Sequence, residues 1–386
     1  MPFALILASL CIAASVYLAK RIVSTMQLPR PYTRLGWVCI VGGVLLFPSH
    51  MLLGESPSQP NLWGTICMLS AGFYSFLLAL TVLKDLTQCI FLRKKKTLSY
   101  HRIAGTGILF LAFALTLVGQ YKALHPQVYA VQIPRPTKAS ALQDLRIVQL
   151  SDLHITNNTP TAWLEDIVER TNALHPDLIF FTGDIADLTL PDTKQALDPL
   201  TKLTAKRGKY AVLGNHEYYR GQADQWAVEM QKSGFVVLQN EHTVLSHKGS
   251  KLLIAGTPDN AAESFGMETP NPAKALANAP QDVALKILLS HQPKNVHAAE
   301  KAGFDIQLSG HTHGGQFHPW TGIVALVQEF YRGLYAVGQA QLYVNQGTGF
   351  WGPAIRLGTT AEITLITLQT REENKQNDQR TVNANR

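Results

Sequence analysis

The stretch Ile306–Gln316 reads IQLSGHTHGGQ, an apolar run that ends in a glycine-rich turn carrying two histidines. The apolar run predicts a buried strand, and the turn places His311 and His313 at its end. Strand ends in a layered α/β fold converge on one edge, so residues far apart in sequence can share a site there. The stretch therefore predicts an α/β domain with a polar site at a sheet edge.

Four other short polar motifs directly follow apolar runs. They are Asp152-Leu153-His154, Gly183-Asp184, Gly214-Asn215-His216-Glu217 and Ser290-His291. Each motif alone is common, but five in this order, each behind a predicted strand, are hard to ascribe to chance. Together they predict the site of a two-metal hydrolase.

The side chains of these motifs sort into two cages. One divalent ion would be held by Asp152, His154, Asp184 and His313, and the other by Asp184, Asn215, His291 and His311. Carboxylate and imidazole ligands suit Mn, Fe or Zn. Asp152 and His154 are two residues apart, so in extended backbone both would point to the same side. The Asp184 carboxylate has two oxygens and can bridge both ions.

Such a cluster would carry net positive charge, which attracts a phosphate and makes a metal-bound hydroxide available near neutral pH. His216 adjoins Asn215 and would be free to stabilise the transition state or protonate the leaving alkoxide. Asp187 and Glu217 either orient the ligands or are ordinary solvated acids. The other histidines of this half are expected to be surface or structural residues: His175, His242, His247, His297 and His318.

Short apolar runs alternate with helical patterns behind residue 144. The predicted strands are Leu145–Leu150, Leu178–Phe181, Lys209–Leu213, Lys251–Ala255, Ala284–Leu289, Ile306–Leu308, Gln341–Val344 and Glu362–Leu368. The predicted helices are Thr161–Leu174, Asp192–Thr204, Gln222–Ser233 and Asn295–Ala302. This alternation predicts a layered α/β domain.

The first third of the chain is of a different kind. It contains four long apolar stretches, Pro2–Ala19, Gly36–Leu53, Leu62–Leu83 and Ile103–Gln120, each near the roughly 20 residues that cross a bilayer. A cleaved leader is disfavoured, because nothing basic precedes the first stretch and Lys20 and Arg21 follow it. All four cysteines lie in or beside these stretches, so the second half has neither a disulfide framework nor a cysteine metal site.

The charge of the loops predicts the orientation of these spans. The first connection carries Lys20, Arg21, Arg30 and Arg34, the third carries Lys84, Arg93, Lys94, Lys95, Lys96 and Arg102, and the second has only Glu55. Basic loops stay in the cytoplasm, which puts everything after Gln120 on the exoplasmic or periplasmic side. The net charge of +7 belongs to these loops, so it does not predict a nucleic-acid partner.

The predicted organisation has four parts. Residues 1–122 form the transmembrane region, 123–143 an extended proline-containing linker, 144–370 the catalytic domain, and 371–386 a polar tail expected to be disordered.

The motifs, above all Ser309-Gly310-His311-Thr312-His313-Gly314-Gly315-Gln316, resemble the calcineurin-like metallophosphoesterase superfamily, in particular its bacterial YkuE/YaeI-like branch in a multi-span membrane form. The resemblance covers about Leu145 to Leu368. It implies a four-layer α/β/β/α sandwich, here preceded by four α-helical spans. It also implies the metal ligands named above, with His216 as the catalytic histidine.

The branch includes membrane-associated phosphodiesterases and lipid A precursor pyrophosphatases. The latter act on a cytoplasmic nucleotide-linked substrate, which conflicts with an exoplasmic catalytic domain. Five later residues resemble the C-terminal pattern of the branch, with Arg356 as a candidate substrate contact: Asn345, Gly347, Gly349, Pro353 and Arg356.

The sequence thus predicts a phosphodiesterase or pyrophosphatase that acts on a lipid or cell-envelope phosphate, because the tether confines the site near lipid headgroups. The competing hypothesis is a non-catalytic membrane scaffold or receptor with a vestigial metal-binding domain. An apolar-aromatic segment past the last ligands is either a lipid-facing lip or ordinary core: Phe317, Trp320, Ile323, Val324, Val327, Phe330 and Tyr331.

Overall fold

The structure, a computed structural model, describes residues 2–53, 62–91, 97–190, 194–219 and 221–370, which divide into two compact units. The first unit runs to Ala123 and also includes two short segments of the C-terminal half, Phe317–Trp320 and Gly352–Gly358. The second unit contains the rest of the chain. The connection around Glu55, the run Arg93–Lys96 and the expected disordered tail lie outside the described residues.

Four long helices form most of the first unit: α1 (Pro2–Leu18), α2 (Arg30–Leu53), α3 (Leu62–Phe91) and α4 (Leu98–Leu124). A π-helical turn and a 3₁₀ turn continue α1 to Met26. Each helix is long and apolar enough to cross a membrane, which confirms the four spans. Large apolar side chains such as Ile103 and Phe110 are exposed on them, as expected of surfaces that face hydrocarbon.

Polar contacts within this unit join the first connection to the end of α3 and the start of α4. Arg21 Nε lies 2.5 Å from Asp85 Oδ2, and Lys84 Nζ donates to the Arg21 carbonyl at 3.2 Å. Arg102 Nε donates to the Met26 carbonyl at 3.0 Å. The first and third connections therefore meet at the same end of the helices.

The second unit is built on twelve strands. They are β1 (Gln127–Arg135), β2 (Ile147–Leu150), β3 (Leu178–Thr182), β4 (Lys209–Val212), β5 (Phe235–Val237), β6 (Glu241–His247), β7 (Ser250–Gly256), β8 (Val283–Leu289), β9 (Ile306–Ser309), β10 (Gly333–Val337), β11 (Ala340–Val344) and β12 (Glu362–Thr370). One six-stranded sheet has the order β1-β12-β2-β3-β4-β5, and the other β10-β11-β9-β8-β7-β6. Helical segments occupy Thr161–Ala173, Lys194–Lys202 (3₁₀), Asn215–Tyr219, Ala223–Lys232, Pro272–Ala275, Val296–Ala302 and Trp320–Val327.

Successive side chains of a strand point to opposite faces of its sheet, which separates the layers. On β3, Phe180 lies in the core between the sheets with Ile254, whereas Phe181 packs in the outer core with Ile167 of the helix Thr161–Ala173. The outer face of the second sheet packs on the helix Val296–Ala302. This is the predicted four-layer α/β/β/α sandwich.

The structure confirms all eight predicted strands and corrects two other expectations. The segment 123–143 is not a free linker, because β1 pairs in parallel with β12 over its whole length. Pro134 fits within it because β1 is an edge strand. The predicted helix Asp192–Thr204 is a 3₁₀ segment, Lys194–Lys202, with Pro199 inside it.

Candidate metal centre

The seven predicted ligands follow the carboxyl ends of five strands. Asp152 and His154 follow β2, Asp184 follows β3, Asn215 follows β4, His291 follows β8, and His311 and His313 follow β9. The strands β2, β3 and β4 are adjacent and parallel, as are β8 and β9. The ends of the two sheets bring the seven side chains together, and all are buried except His311, which is half-buried.

Five of these residues have left-handed backbone: φ is 53° at Asp152, 48° at His154, 53° at Asp184, 73° at His311 and 50° at His313. Residues other than glycine rarely adopt this region, and such conformations concentrate at functional sites. The expectation that Asp152 and His154 converge through extended backbone is therefore wrong. Sharp left-handed turns after the strands aim these side chains instead.

The first group of donor atoms surrounds His154 Nε2. This nitrogen lies 2.9 Å from His313 Nε2, 3.6 Å from Asp184 Oδ2 and 4.0 Å from Asp152 Oδ1. His313 Nε2 is 3.6 Å from Asp152 Oδ1. These are the four side chains of the first predicted cage.

The second group surrounds His291 Nε2. This nitrogen lies 3.1 Å from Asn215 Oδ1, 3.2 Å from Asp184 Oδ2 and 3.2 Å from His311 Nδ1. Asp184 Oδ2 thus belongs to both groups. Its other oxygen, Oδ1, accepts the backbone N–H of His216 at 3.0 Å, which fixes the carboxylate between them.

The donor sets fit divalent cations. Atoms bound to one ion at roughly 2.0–2.2 Å lie about 3–4 Å from one another, the spacing found in both groups. His291 Nδ1 lies 2.7 Å from the Thr182 carbonyl, which can only accept, so Nδ1 carries a proton and Nε2 is the nitrogen that could bind a cation. The described residues therefore include His/Asp clusters that could hold metal ions.

The pKa values of the clustered side chains show which protons a bound cation would displace. Burial alone would lower the pKa of His291, but the charge and hydrogen bond of Asp184 outweigh it, and this pKa lies well above its usual value. Burial would raise the pKa of Asp184, but the neighbouring histidines hold it well below its usual range. Burial and the charge of His291 lower the pKa of His311 to about 3. A bound cation competes with protons for these same lone pairs.

His216 lies beside the cluster and is more exposed than the buried histidines. Its ring packs edge-on against His154 with centroids 4.7 Å apart, and its Nδ1 lies 2.8 Å from Asp187 Oδ1. Burial would lower the pKa of His216, but the charge of Asp184 and the hydrogen bond that His216 donates to Asp187 raise it to about 9. The side chain is therefore set up to carry a proton next to the donor groups.

Asp187 and Glu217 are orienting residues and not solvated acids. Asp187 Oδ1 accepts Nδ1–H of His154 at 2.6 Å, which turns His154 Nε2 toward the cluster. Glu217 is fully buried and accepts the backbone N–H groups of Asp184 at 3.0 Å and Gly214 at 2.7 Å. It thereby joins the turns after β3 and β4. Burial, followed by the charge of Asp184, raises the pKa of Glu217 to about 7.

Close backbone approach at two glycines explains their place in the motifs. A Cβ at Gly214 would collide with the Asp184 carboxylate, and one at Gly310 would collide with Asp152 Oδ2. Glycine at these positions lets the turn after β4 approach the turn after β3, and the turn after β9 approach the turn after β2 in the other sheet.

The C-terminal pattern supports the Asp152 turn through the backbone. Gly349 N–H donates to the Asp152 carbonyl at 3.0 Å, and Thr348 N–H donates to the Ser151 carbonyl at 2.8 Å. Asn345 Nδ2 donates to Thr364 Oγ1 at 2.9 Å. The Thr348 N–H and the Thr182 carbonyl could not be identified from the sequence, because hydrogen bonds of the backbone leave no pattern of side chains.

The remaining sequence candidates have other environments. Arg356 is fully buried and belongs to the first unit. His242 contacts the Ala275 carbonyl, His247 contacts Asp144, and His297 contacts Glu329, in keeping with structural or surface roles.

A family model described as calcineurin-like phosphoesterase matches residues 145–315, the part of the chain that carries all seven ligand candidates. A transmembrane protein with metallophosphoesterase domain from Danio rerio is 30% identical over 402 residues, covering 95% of this chain and 89% of that protein. The metallophosphoesterase YkuE of Bacillus subtilis is 33% identical and covers 67% of this chain and 93% of that protein. A metallophosphoesterase of Campylobacter jejuni is 29% identical, covering 92% of this chain and 95% of that protein.

The chain belongs to the calcineurin-like metallophosphoesterase family, and the resemblance drawn from its motifs is confirmed. The family supports metal-dependent hydrolysis of phosphate esters in general. The similarity to the Danio rerio protein covers 95% of this chain, so it includes most of the membrane helices as well as the catalytic domain.

Proposed function

We propose that this chain is a membrane-tethered phosphoesterase that uses two divalent ions, of the Mn, Fe or Zn type, to hydrolyse phosphodiester or pyrophosphate bonds in a lipid or cell-envelope substrate. The observation that carries the proposal is the position of Asp184 Oδ2, 3.6 Å from His154 Nε2 and 3.2 Å from His291 Nε2. One carboxylate oxygen shared by two donor groups is what a pair of neighbouring ions requires.

The chain's own residues would divide the work. Asp152, His154, Asp184 and His313 hold one ion, and Asp184, Asn215, His291 and His311 hold the other. When bound, the ions supply positive charge for the phosphate and make water nucleophilic near neutral pH. His216, whose Nδ1–H is engaged by Asp187, would give the proton on its other ring nitrogen, Nε2, to the leaving oxygen. Asp187 and Glu217 keep the ligands oriented.

The substrate class follows from the tether and from the chemistry of the site. Four helices able to cross a membrane keep the site at a bilayer, where phosphate esters of lipids are concentrated. Neither the ligand set nor the net charge of the second half favours nucleic acid. We therefore assign a membrane-embedded or envelope phosphate ester as the substrate.

The catalytic domain is proposed to face the exoplasmic or periplasmic side. The contacts of Arg21 with Asp85 and of Arg102 with Met26 support this, since they bring both basic connections to one end of the helices. Cys89, near that end of α3, should react with a membrane-impermeant maleimide only from the cytoplasmic face in oriented vesicles. Labelling from outside intact cells would reverse the assignment.

The decisive experiment compares wild type with Asp184→Asn in the full-length, manganese-loaded protein. Hydrolysis of bis-p-nitrophenyl phosphate should fall by about a thousandfold or more, and bound metal should fall with it, because both ions lose a shared anionic ligand. Asp282→Asn, at an exposed acid paired with Lys251, is the matched control and should behave as wild type. Wild-type protein that binds metal and hydrolyses none of a panel of phosphate esters would favour the alternative, a scaffold or receptor with a vestigial site.

A further inference from the structure

The helix Trp320–Val327, called here the lip helix, exposes apolar side chains, which is unusual for a helix in water. Its sequence is WTGIVALV, and Thr321 is the one buried residue among these eight, all of which the structure describes. Leu326 is 87% exposed and Val327 is 71% exposed. A helix on a water-soluble domain normally buries its apolar face and exposes its polar residues. Ordinary core packing, one of the two sequence interpretations of this segment, holds for Phe317 and Phe330, which are buried, but not for the lip helix.

Two tryptophans also have exposed rings. Trp320 begins the lip helix, and Trp351 stands on the loop after β11, 56% exposed. Gln316, the last residue of the histidine motif, fixes that loop through two hydrogen bonds: its Nε2 donates to the Trp351 carbonyl at 2.9 Å, and its Oε1 accepts Trp351 N–H at 2.8 Å. The loop that carries Trp351 is thus fixed by the same turn that carries His313.

The short segments next to the two tryptophans pack with the membrane helices: one ends at Trp320, and the other follows Trp351. The segments Phe317–Trp320 and Gly352–Gly358 belong to the first unit. The Phe317 ring packs against Phe76 of α3 with centroids 5.4 Å apart. The Ile355 side chain packs against the backbone of Gly72 and Gly119, and Arg356 N–H donates to the Gly119 carbonyl at 2.9 Å. The lip helix therefore follows directly in the chain on a segment that packs with the membrane helices.

We propose that the lip helix is an interfacial helix, with its exposed apolar face in the boundary between headgroups and acyl chains of the bilayer that α1–α4 span. A helix of eight residues is about 12 Å long, whereas the hydrocarbon core is about 30 Å thick, so the lip helix can enter that boundary but cannot cross the bilayer. Tryptophan side chains prefer the headgroup level, where Trp320 and Trp351 would lie. The helix carries no charged residue, so nothing in it opposes contact with lipid. A large exposed apolar surface marks an interaction site. The chain that enters the lip helix, Phe317–Trp320, packs with the membrane helices, and this attachment favours lipid as what covers the exposed face.

This contact deepens the proposed function, and in that respect rests on it. His313 lies seven residues before Trp320, so a lip helix at the headgroup level admits phosphate esters whose acyl chains remain in the bilayer. It disfavours esters that must first dissolve in water. The membrane contact itself is independent of whether the metal centre is active.

Lipid contact can be measured directly on the full-length protein, reconstituted at one chain per nanodisc. In a background with the four native cysteines replaced by alanine and unchanged thermal unfolding, Leu326→Cys is labelled with a fluorophore. Lipids carrying a nitroxide near the headgroup should quench it severalfold more strongly than unlabelled lipids. The matched control is Val228→Cys, an exposed apolar position on the helix Ala223–Lys232, which should be quenched little.

Equal quenching at both positions, or none at position 326, overturns the inference. Because each nanodisc holds one chain, quenching at position 326 also excludes a second copy as the covering surface. Quenching in a protein without hydrolytic activity would uphold the membrane contact and sink the proposed function. The two failures are thus distinguishable.

A second variant tests the consequence for substrate. Leu326→Asp should lower the ratio of turnover of a phosphodiester embedded in nanodiscs to turnover of bis-p-nitrophenyl phosphate by roughly tenfold, because a charge at interfacial depth opposes lipid contact. Val228→Asp should leave the ratio unchanged. An unchanged ratio in Leu326→Asp would overturn the role of the lip helix in substrate access.

Discussion

The metal centre and the membrane helices are opposite in what they bury. Around Asp184 the catalytic domain buries carboxylates and imidazoles together, whereas α4 exposes Ile103 and Phe110. Each arrangement is unfavourable in water, since buried charges need partners and exposed apolar surface needs cover. The difference teaches that each region is completed by something outside the chain, cations in one case and hydrocarbon in the other.

Among the variants that test the metal site, His216→Ala is expected to have the largest effect. Turnover should fall by about 10² to 10⁴, the range for loss of a general acid, while bound metal is retained. His216 belongs to neither four-residue donor group, and its Nδ1 is engaged by Asp187. Metal content and bis-p-nitrophenyl phosphate hydrolysis are measured on the same sample.

The control is His297→Ala, at an exposed histidine paired with Glu329, which should leave both readings as in wild type. His216 also forms a close group with His154 and Asp184. If metal were lost together with turnover, His216 would be a ligand and not the proton donor.

The sequence predicts the spans, the strands and the identities of the ligands, but not the backbone conformation of the site, and the reason is physical. The spans and the eight strands follow from composition and periodicity, which burial in lipid or in a core imposes on the chain itself. The identities of the ligands follow from residue types at strand ends. Their left-handed backbone could not be predicted, because this conformation is uncommon even for aspartate and histidine, and the surrounding turns hold residues such as Asp152 and His313 in it.

Two further features were hidden for similar reasons. Pro134 and Pro136 indicate a linker, and only the edge position of β1 makes a proline acceptable in that strand. The lip helix lacks the polar face by which an amphipathic helix is recognised in a sequence. Features that depend on a neighbour supplied by another part of the fold, or by the bilayer, leave weak local signals.

A smaller effect is expected from Asp187→Asn. Catalysis should fall about 10- to 100-fold, the usual cost of losing a group that orients a metal ligand, since Asp187 holds both His154 and His216. The pH profile distinguishes this role from mere loss of structure. A proton donor must be protonated, so kcat should fall as pH rises through the pKa of His216.

In wild type that alkaline limb should lie at or below about pH 9, the value to which Asp184 and Asp187 raise the pKa of His216, because bound cations can only lower it. Asp187→Asn removes a negative partner and should move the limb to lower pH. Asp144→Asn, at an acid that pairs with His247 outside the site, should not move it. A limb unmoved by Asp187→Asn would contradict the proton-donor assignment of His216.

The smallest effect concerns the membrane unit, where packing and not charge should decide. A side chain at Gly119 of α4 would collide with Ile355, whereas the space beside Gly107 of the same helix is open. Leucine at either position gains the same helix propensity, about 1 kcal/mol over glycine, so this gain cancels in the comparison. Overpacking costs about 1–3 kcal/mol, so Gly119→Leu should unfold several degrees below Gly107→Leu in detergent.

Equal unfolding temperatures would mean that Ile355 does not pack on α4. The segment Gly352–Gly358, which follows Trp351, would then not be held by the membrane helices, and the proposed position of Trp351 at the headgroup level would lose its support.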